Sequence, residues 1–140
     1  MAEEFLIRLA TIDDMKNVFD LSNDDVVRKN SINQEKIKWE DHIRWYENRI
    51  KRTEEPFYIV ESLNKDFIAQ VRFDKKDEHI ISISISKDFR SKGLASKIIK
   101  RCSEESGRKE IAAFVKEENI ASQKAFVKAG YKFNSKDNGY

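Results

Sequence analysis

The sequence predicts an α/β domain with a mixed central sheet of six to seven strands and helices on both faces. Three observations carry that prediction. Phe67–Asp74 and Ile81–Ser86 each alternate with a period of two, the pattern of antiparallel strands joined by a short turn. Between Lys92 and Phe133, helical stripes and short apolar runs take turns, the pattern of parallel strands with crossover helices. The 140 residues contain no linker, repeat or shift in composition, so residues 1–140 read as one domain, long enough to enclose a core.

The elements follow in the order βααβββαβαβ. Phe5–Arg8 reads as the first strand. Thr11 is a good N-cap, and Ile12, Met15 and Phe19 mark an amphipathic helix behind it. The polar stretch Ser22–Asn33 leads to a second helix with a core stripe at Trp39, Ile43, Tyr46 and Ile50. Pro56 ends that helix region and opens the strand Phe57–Ser62, followed by a turn at Asn64-Lys65. Phe67, Ala69, Val71 and Phe73 form the apolar face of the next strand, and Asp74–Glu78 turns the chain. The run Ile81-Ser82-Ile83-Ser84-Ile85-Ser86 has one β-branched face and one small polar face, the serines allowing close approach of a helix. Lys92–Ser106 is a helix closed by Gly107, Ile111–Val115 a buried strand, Asn119–Ala129 a helix closed by Gly130, and Tyr131–Phe133 opens a last strand.

Composition excludes several classes. Charged residues are 37% of the chain, above the roughly 25% of an average soluble domain. They nearly cancel: 27 Lys+Arg against 25 Asp+Glu leaves +2, without the basic excess of a nucleic-acid binder. No apolar run is long enough to span a membrane. The single Cys102 has no partner for an internal disulfide, and Met1–Ala10 is too acidic for a secretory leader, so the expectation is a reducing, cytoplasmic setting. No metal is expected.

The chemistry-bearing pattern is Arg90-Ser91-Lys92-Gly93-Leu94-Ala95, where a strand delivers the chain into a helix. Unpaired N–H groups in the first helical turn lie at the positive end of the macrodipole and suit a phosphate. Gly93 permits close backbone approach, and Arg90 and Lys92 add charge. As easily, both cations could be ordinary surface charges. The segment matches Arg/Gln-x-x-Gly-x-Gly/Ala, and 24 residues beyond Ala95 come Asn119-Ile120-Ala121-Ser122 and then Phe126-Val127-Lys128-Ala129-Gly130-Tyr131. Together these resemble the two halves of the coenzyme A site of the GNAT acetyltransferases, and the element order agrees.

That resemblance implies the GNAT fold and acetyl-CoA as acyl donor. Its pantetheine arm would lie between the strands Ile81–Ser86 and Ile111–Val115, along Ile83 and Ile85. Backbone N–H groups from Lys92 to Ser96 would hold the pyrophosphate, within the set Arg90, Ser91, Lys92, Gly93, Leu94, Ala95 and Ser96. Asn119 and Ser122 would hydrogen-bond the CoA chain, although Asn119 equally suits a helix N-cap. Many relatives place a proton-donating Tyr where this chain has Phe126. Tyr131 and Tyr46 are candidate substitutes, each of which also reads as a core aromatic.

On the acceptor side, Arg28-x-x-Ser31, then His42-x-x-Trp45-Tyr46, then Gln70-Val71-Arg72-Phe73-Asp74 resemble the N-acetyltransferases of bacterial nucleotide-linked amino sugars, of the pseudaminic-acid type. The resemblance implies a small-molecule amine acceptor, a nucleotide-sugar, bound by Arg28, Ser31, Trp45, Gln70, Arg72 and Asp74. His42, Trp45 and Arg49 fall at i, i+3, i+7, a half-buried ridge along a cleft, with His42 as candidate base. Ile80 stands where related enzymes often carry a Glu. No nucleic acid or membrane partner is expected, and the chain would be a monomer or homodimer. The same residues leave two other readings open: an acetyltransferase of protein N-termini, ribosomal in type, and a non-catalytic acyl-CoA-binding module.

Overall fold

A computed structural model describes residues 5–31 and 33–133. The chain runs through β1 (Phe5–Leu9), a 3₁₀ turn (Ile12–Asp14), α1 (Met15–Ser22), α2 (Asp25–Lys29), α3 (Trp39–Ile50), β2 (Phe57–Ser62), β3 (Phe67–Lys75) and β4 (His79–Ile85). A second 3₁₀ turn (Lys87–Phe89), α4 (Leu94–Ser106), β5 (Ile111–Ala112) and α5 (Ile120–Lys128) complete it. The strands lie in sequence order; β1 to β4 are antiparallel, and β5 joins β4 in parallel.

Two points differ from the expected order. Three helices, not two, separate β1 from β2. Asp24 accepts hydrogen bonds from the N–H groups of Val26 and Val27 and so starts α2 inside the polar stretch, where no apolar period announces a helix. The sheet has five strands among the described residues, because Tyr131–Phe133 is not a strand; a strand beyond it would fall outside the described residues.

β2 is buried on both faces, from Phe57 to Val60. Tyr58 and Val60 join Val71, Phe73, Ile81, Ile98, Ile99 and Cys102 in the larger core under α4. Phe57 and Ile59 join Val18 and Tyr46 in a second core under α1 and α3. Beyond Ala69 the register slips: Val60 faces Ala69, but Glu61 faces Phe67. Ile68 is the extra residue, and the bulge turns Phe67 to the second core. Phe67 therefore does not share a face with Ala69, Val71 and Phe73, a correction to the simple alternation.

The rotation of α3 is also corrected. Its buried residues are His42, Tyr46 and Arg49, while Trp39 is 38% exposed. Arg49 is only 1% exposed and fully used: Nε donates to Asp74 (3.0 Å), one terminal nitrogen to the Glu55 carbonyl (2.8 Å), the other to the Phe73 carbonyl (3.0 Å). Its guanidinium also lies 5.5 Å from the Phe57 ring centroid. A carboxylate on the covered face of β3 needs a cation, and that need outweighs the apolar stripe in setting which side of α3 faces inward.

At the other end of the second core, Thr11 and Asp14 form the expected N-terminal cap as a reciprocal capping box. Arg8 grips both Asp14 oxygens at 2.8 and 2.7 Å and reaches Glu61 at 3.0 Å. Burial pushes the Asp14 carboxyl up, but Arg8 and the Thr11 N–H outweigh it, so its pKa lies below the usual 3.8. A depressed carboxylate stabilises the fold above its unfolded pKa, and that stability is lost as pH falls through the folded value. The urea-unfolding free energy is therefore expected to drop as pH falls below about 4, and Asp14→Asn to flatten that drop. Arg49→Met, which removes Asp74's nearest cation and leaves the Glu55 and Phe73 carbonyls without that donor, is expected to lower the unfolding free energy by about 3 kcal/mol in the same measurement.

Candidate active site

β4 and β5 pair only at His79 with Ile111 and at Ile80 with Ala112. β4 then runs on to Ile85, so among the described residues its edge from Ile81 to Ile85 has no strand neighbour on the β5 side. The expected buried strand Ile111–Val115 is thus corrected to two half-buried residues, and Phe114 beyond it is 60% exposed. The parting of a parallel pair toward its C-terminal end opens a slot beside Ile83 and Ile85, both half-buried against the larger core.

The loop after β4 supplies the second part of the site. Ser91 has φ +60° and Gly93 φ +74°, so two left-handed residues turn the chain into α4. Gly93 is the N-cap of α4, and no side chain caps that helix. The N–H groups of its first turn, around Leu94, Ala95 and Ser96, are left to an external acceptor. Leu94 and Ser96 are buried, whereas Ser91, Lys92 and Gly93 are exposed; the Lys92 ammonium lies 5.8 Å from the Phe89 ring centroid. Arg90 departs from its expected place. Its Nε donates to the Ile85 carbonyl (2.9 Å) and a terminal nitrogen to Asp24 (2.7 Å), so the guanidinium is already committed within the protein.

The second half-motif takes the form of a cap. The Asn119 side chain accepts from the Ser122 N–H at 3.3 Å, and both residues are half-buried at the start of α5. Phe126 is buried edge-to-face against Tyr131, with centroids 5.1 Å apart. Neither candidate substitute for the missing tyrosine hydroxyl is unengaged. The Tyr131 hydroxyl lies 2.8 Å from the Ser103 hydroxyl, and burial raises its pKa. Tyr46 donates to the Thr11 carbonyl and is raised further, again chiefly by burial.

On the opposite face of the sheet, the acceptor-side residues do come together. Gln70 is buried; its amide nitrogen donates to the Ser22 hydroxyl (3.1 Å), and its oxygen accepts from Arg72 (3.1 Å). Arg72 stacks 5.0 Å from the Trp45 ring centroid and 5.9 Å from that of Phe57. Arg28 donates to the Ser31 hydroxyl and to the Asn33 and Glu35 carbonyls. Its Nε is buried without a partner among the described residues. Burial lowers the pKa of Arg28 and, more than any other cause, that of Arg72; the charge of Asp74 opposes this on Arg72, while those of Arg49, Arg28 and Arg52 add to it.

Three expectations change here. The partners of Gln70 and Asp74 are protein groups, Ser22 and Arg49, rather than groups awaiting a ligand. His42 is 2% exposed, not on a cleft edge: Nε2 lies 2.9 Å from the Met15 carbonyl, and Phe19, Trp39, Trp45 and Tyr46 wall the ring. Burial lowers its pKa, so the imidazole is neutral at pH 7, with Nε2–H donating to that carbonyl. Arg49 is buried as well. Ser22, Asp24 and Lys116, which also tie the site together, had not been singled out. Ser22 was detectable in principle, as a hydroxyl on the helical stripe of Met15 and Phe19; the other two carry no local signal.

Among the described residues, no group of three or more His, Cys, Asp or Glu side chains could hold a metal ion, and no helix is long and apolar enough to cross a membrane. A mixed sheet, a parted parallel pair and an uncapped, glycine-opened helix at that parting define an acyltransferase-type α/β domain. The particular family follows from comparison: a family model for the acetyltransferase (GNAT) domain matches residues 4–132, and the chain belongs to that family of acetyl-CoA-dependent N-acetyltransferases.

Solved structures agree on the fold. A spermidine N-acetyltransferase from Vibrio cholerae, in complex with CoA and spermine, is 18% identical with a TM-score of 0.81, over 91% of this chain and 80% of that one. A ribosomal-protein-alanine N-acetyltransferase from Brucella melitensis is 18% identical with a TM-score of 0.76, over 96% and 93%. An N-acetyltransferase from Staphylococcus aureus Mu50 is 22% identical with a TM-score of 0.73, over 90% and 82%. Comparison with curated protein sequences returns no match.

A Cβ on Gly93 would meet nothing within 4 Å, so backbone conformation alone restricts the position. Gly93→Asn, which tolerates the left-handed region, is expected to keep acetyl-CoA binding. Gly93→Val is expected to weaken it about tenfold, as measured by titration calorimetry.

Proposed function

We propose that the chain transfers the acetyl group of acetyl-CoA to the primary amine of a small, phosphate-bearing acceptor, a nucleotide-linked amino sugar. One observation carries the acceptor class: the Arg72 guanidinium stacks on the indole of Trp45, with Arg28 near enough for its charge to act on Arg72. Both guanidinium groups are destabilised by burial, and one buried Nε is unmatched. An anion there would relieve both penalties, and an indole offers a flat base or sugar a stacking surface. A polyamine, itself a polycation, would meet like charge.

The residues divide the work as follows. The open edge of β4 near Ile83 and Ile85 and the first-turn N–H groups of α4 would hold the donor, with Asn119 and Ser122 alongside. Acetyl-CoA supplies the acetyl thioester. Strand N–H groups at the same edge would stabilise the oxyanion that forms when the amine nitrogen adds to the carbonyl carbon. Holding both reactants in line supplies much of the rate. The sulfur departs as thiolate, since Phe126 cannot donate a proton, and the amine loses its proton to water. His42 sets the orientation of Trp45 rather than accepting that proton: Nε2–H donates to the Met15 carbonyl, and the basic Nδ1 belongs to a ring only 2% exposed and walled by Phe19, Trp39, Trp45 and Tyr46.

The test is thiol release from acetyl-CoA across 4-amino-sugar nucleotides, free amino sugars, polyamines and peptides. The highest kcat/KM is expected with the nucleotide-linked amines, and release that is faster with polyamines or ribosomal peptides would overturn the acceptor assignment. With the preferred nucleotide, Arg72→Met is expected to lower kcat/KM about 30-fold, a charged hydrogen bond's worth, at unchanged acetyl-CoA affinity. His42→Ala is expected to raise acceptor KM while keeping the acid limb of the pH–rate profile; loss of that limb would make His42 the base.

A further inference from the structure

The five-residue helix α2 is tied at both ends to segments that follow the two parted strands. At its start, Asp24 accepts a hydrogen bond from Arg90, whose other contact is the Ile85 carbonyl at the end of β4. At its end, the Lys29 carbonyl accepts from the ammonium of Lys116, in the segment that follows β5, at 2.9 Å. β4 and β5 are parallel, so these two anchors stand on opposite lips of the same opening. Asp24 and Lys29 are about 7.5 Å apart along a helix, wider than the roughly 4.8 Å between paired strands. That span fits a pair of strands that have separated.

We infer that α2 is a strap across the mouth of the donor slot, held shut by the Arg90–Asp24 ion pair on the β4 lip and by Lys116 on the Lys29 carbonyl on the β5 lip. The inference rests on the donor-site reading above and goes beyond it: Arg90, Asp24 and Lys116 are positioning residues that retain the donor, not groups that touch the reacting atoms. It accounts for the commitment of Arg90 to a carboxylate 66 residues away instead of to the phosphate loop. It also gives α2 a role beyond packing, since none of its residues is buried and its other ties are local, such as Lys36 on Asp25 and Ser31 on the Val27 carbonyl. The strap carries Arg28, so closing it brings that cation to the acceptor face. Donor retention and acceptor recognition would then share one element.

Dissociation of acetyl-CoA, followed by stopped-flow displacement, tests this in the full chain. Asp24→Asn breaks the ion pair while keeping a residue that caps helices well, and Lys116→Met removes the ammonium while keeping the stem. Each variant is expected to release acetyl-CoA about tenfold faster. The double variant is expected to be no faster than either single one, because a strap freed at one end is already open. Trypsin cleavage after Arg28 and Lys29 is expected to accelerate in parallel. Unchanged release rates, or rate increases that multiply in the double variant as independent contacts would, overturn the strap. Failure of the unmodified chain to bind acetyl-CoA would overturn the donor-site reading, and the strap with it; normal binding with unaltered variants overturns the strap alone.

Discussion

The structure turns on the polar face of β3. This strand is paired on both edges and covered on both sides, yet one side carries Gln70, Arg72 and Asp74. Buried polar groups without partners are costly, so the elements packed over that face must bring partners with them. α1 brings Ser22 to Gln70; α3 brings Arg49 to Asp74 and Trp45 to Arg72. Once Arg49 must point inward, Trp39 turns toward solvent, and His42 and Tyr46 turn into the core. The acceptor side is therefore built around an internal hydrogen-bond network, and Arg28 and Arg72 are the groups in it that still favour an anion.

The two faces of the sheet do different jobs for different physical reasons. The face under α4 and α5 is apolar and continuous, and it holds rigid the strand end and helix start between which the donor loop is strung. The other face is smaller, partly charged and assembled from short helices. Ser82 and Ser84, opposite Arg72 and Gln70 in register, keep that face low where α1 packs on β4. Chemistry is expected where the two regimes meet, at the C-terminal ends of β4 and β5. There the backbone ladder stops, and its N–H and C=O groups are available to something other than protein.

Much of this was legible in the residues. Period-two alternation located β3 and β4, Pro56 marked the opening of β2, Thr11 announced the start of the first helix, and Gly107 and Gly130 marked where α4 and α5 stop. The motif from Arg90 to Ala95 pointed to the loop that opens α4, and the acceptor-side motifs named residues that do meet across the sheet. The differences come from local breaks in periodicity and from partners distant in the chain. Phe67 changed face because a bulge at Ile68 broke the period. α2 went unseen because five residues capped by Asp24 make no stripe. Arg90 sits in a phosphate-type motif, yet its guanidinium is bound to Asp24, 66 residues away.

By itself, the sequence determined the α/β class, the family, the position of the anion-ready turn and the absence of a tyrosine at Phe126. Local propensity, periodicity and short motifs are properties of neighbouring residues, and they survive without knowledge of the fold. Only the tertiary structure decided that Arg90 is spent on Asp24, that His42 is sealed against the Met15 carbonyl, and that Lys116 meets the Lys29 carbonyl. Those outcomes depend on which groups distant in the chain arrive within hydrogen-bond range, and on how completely their arrival excludes water.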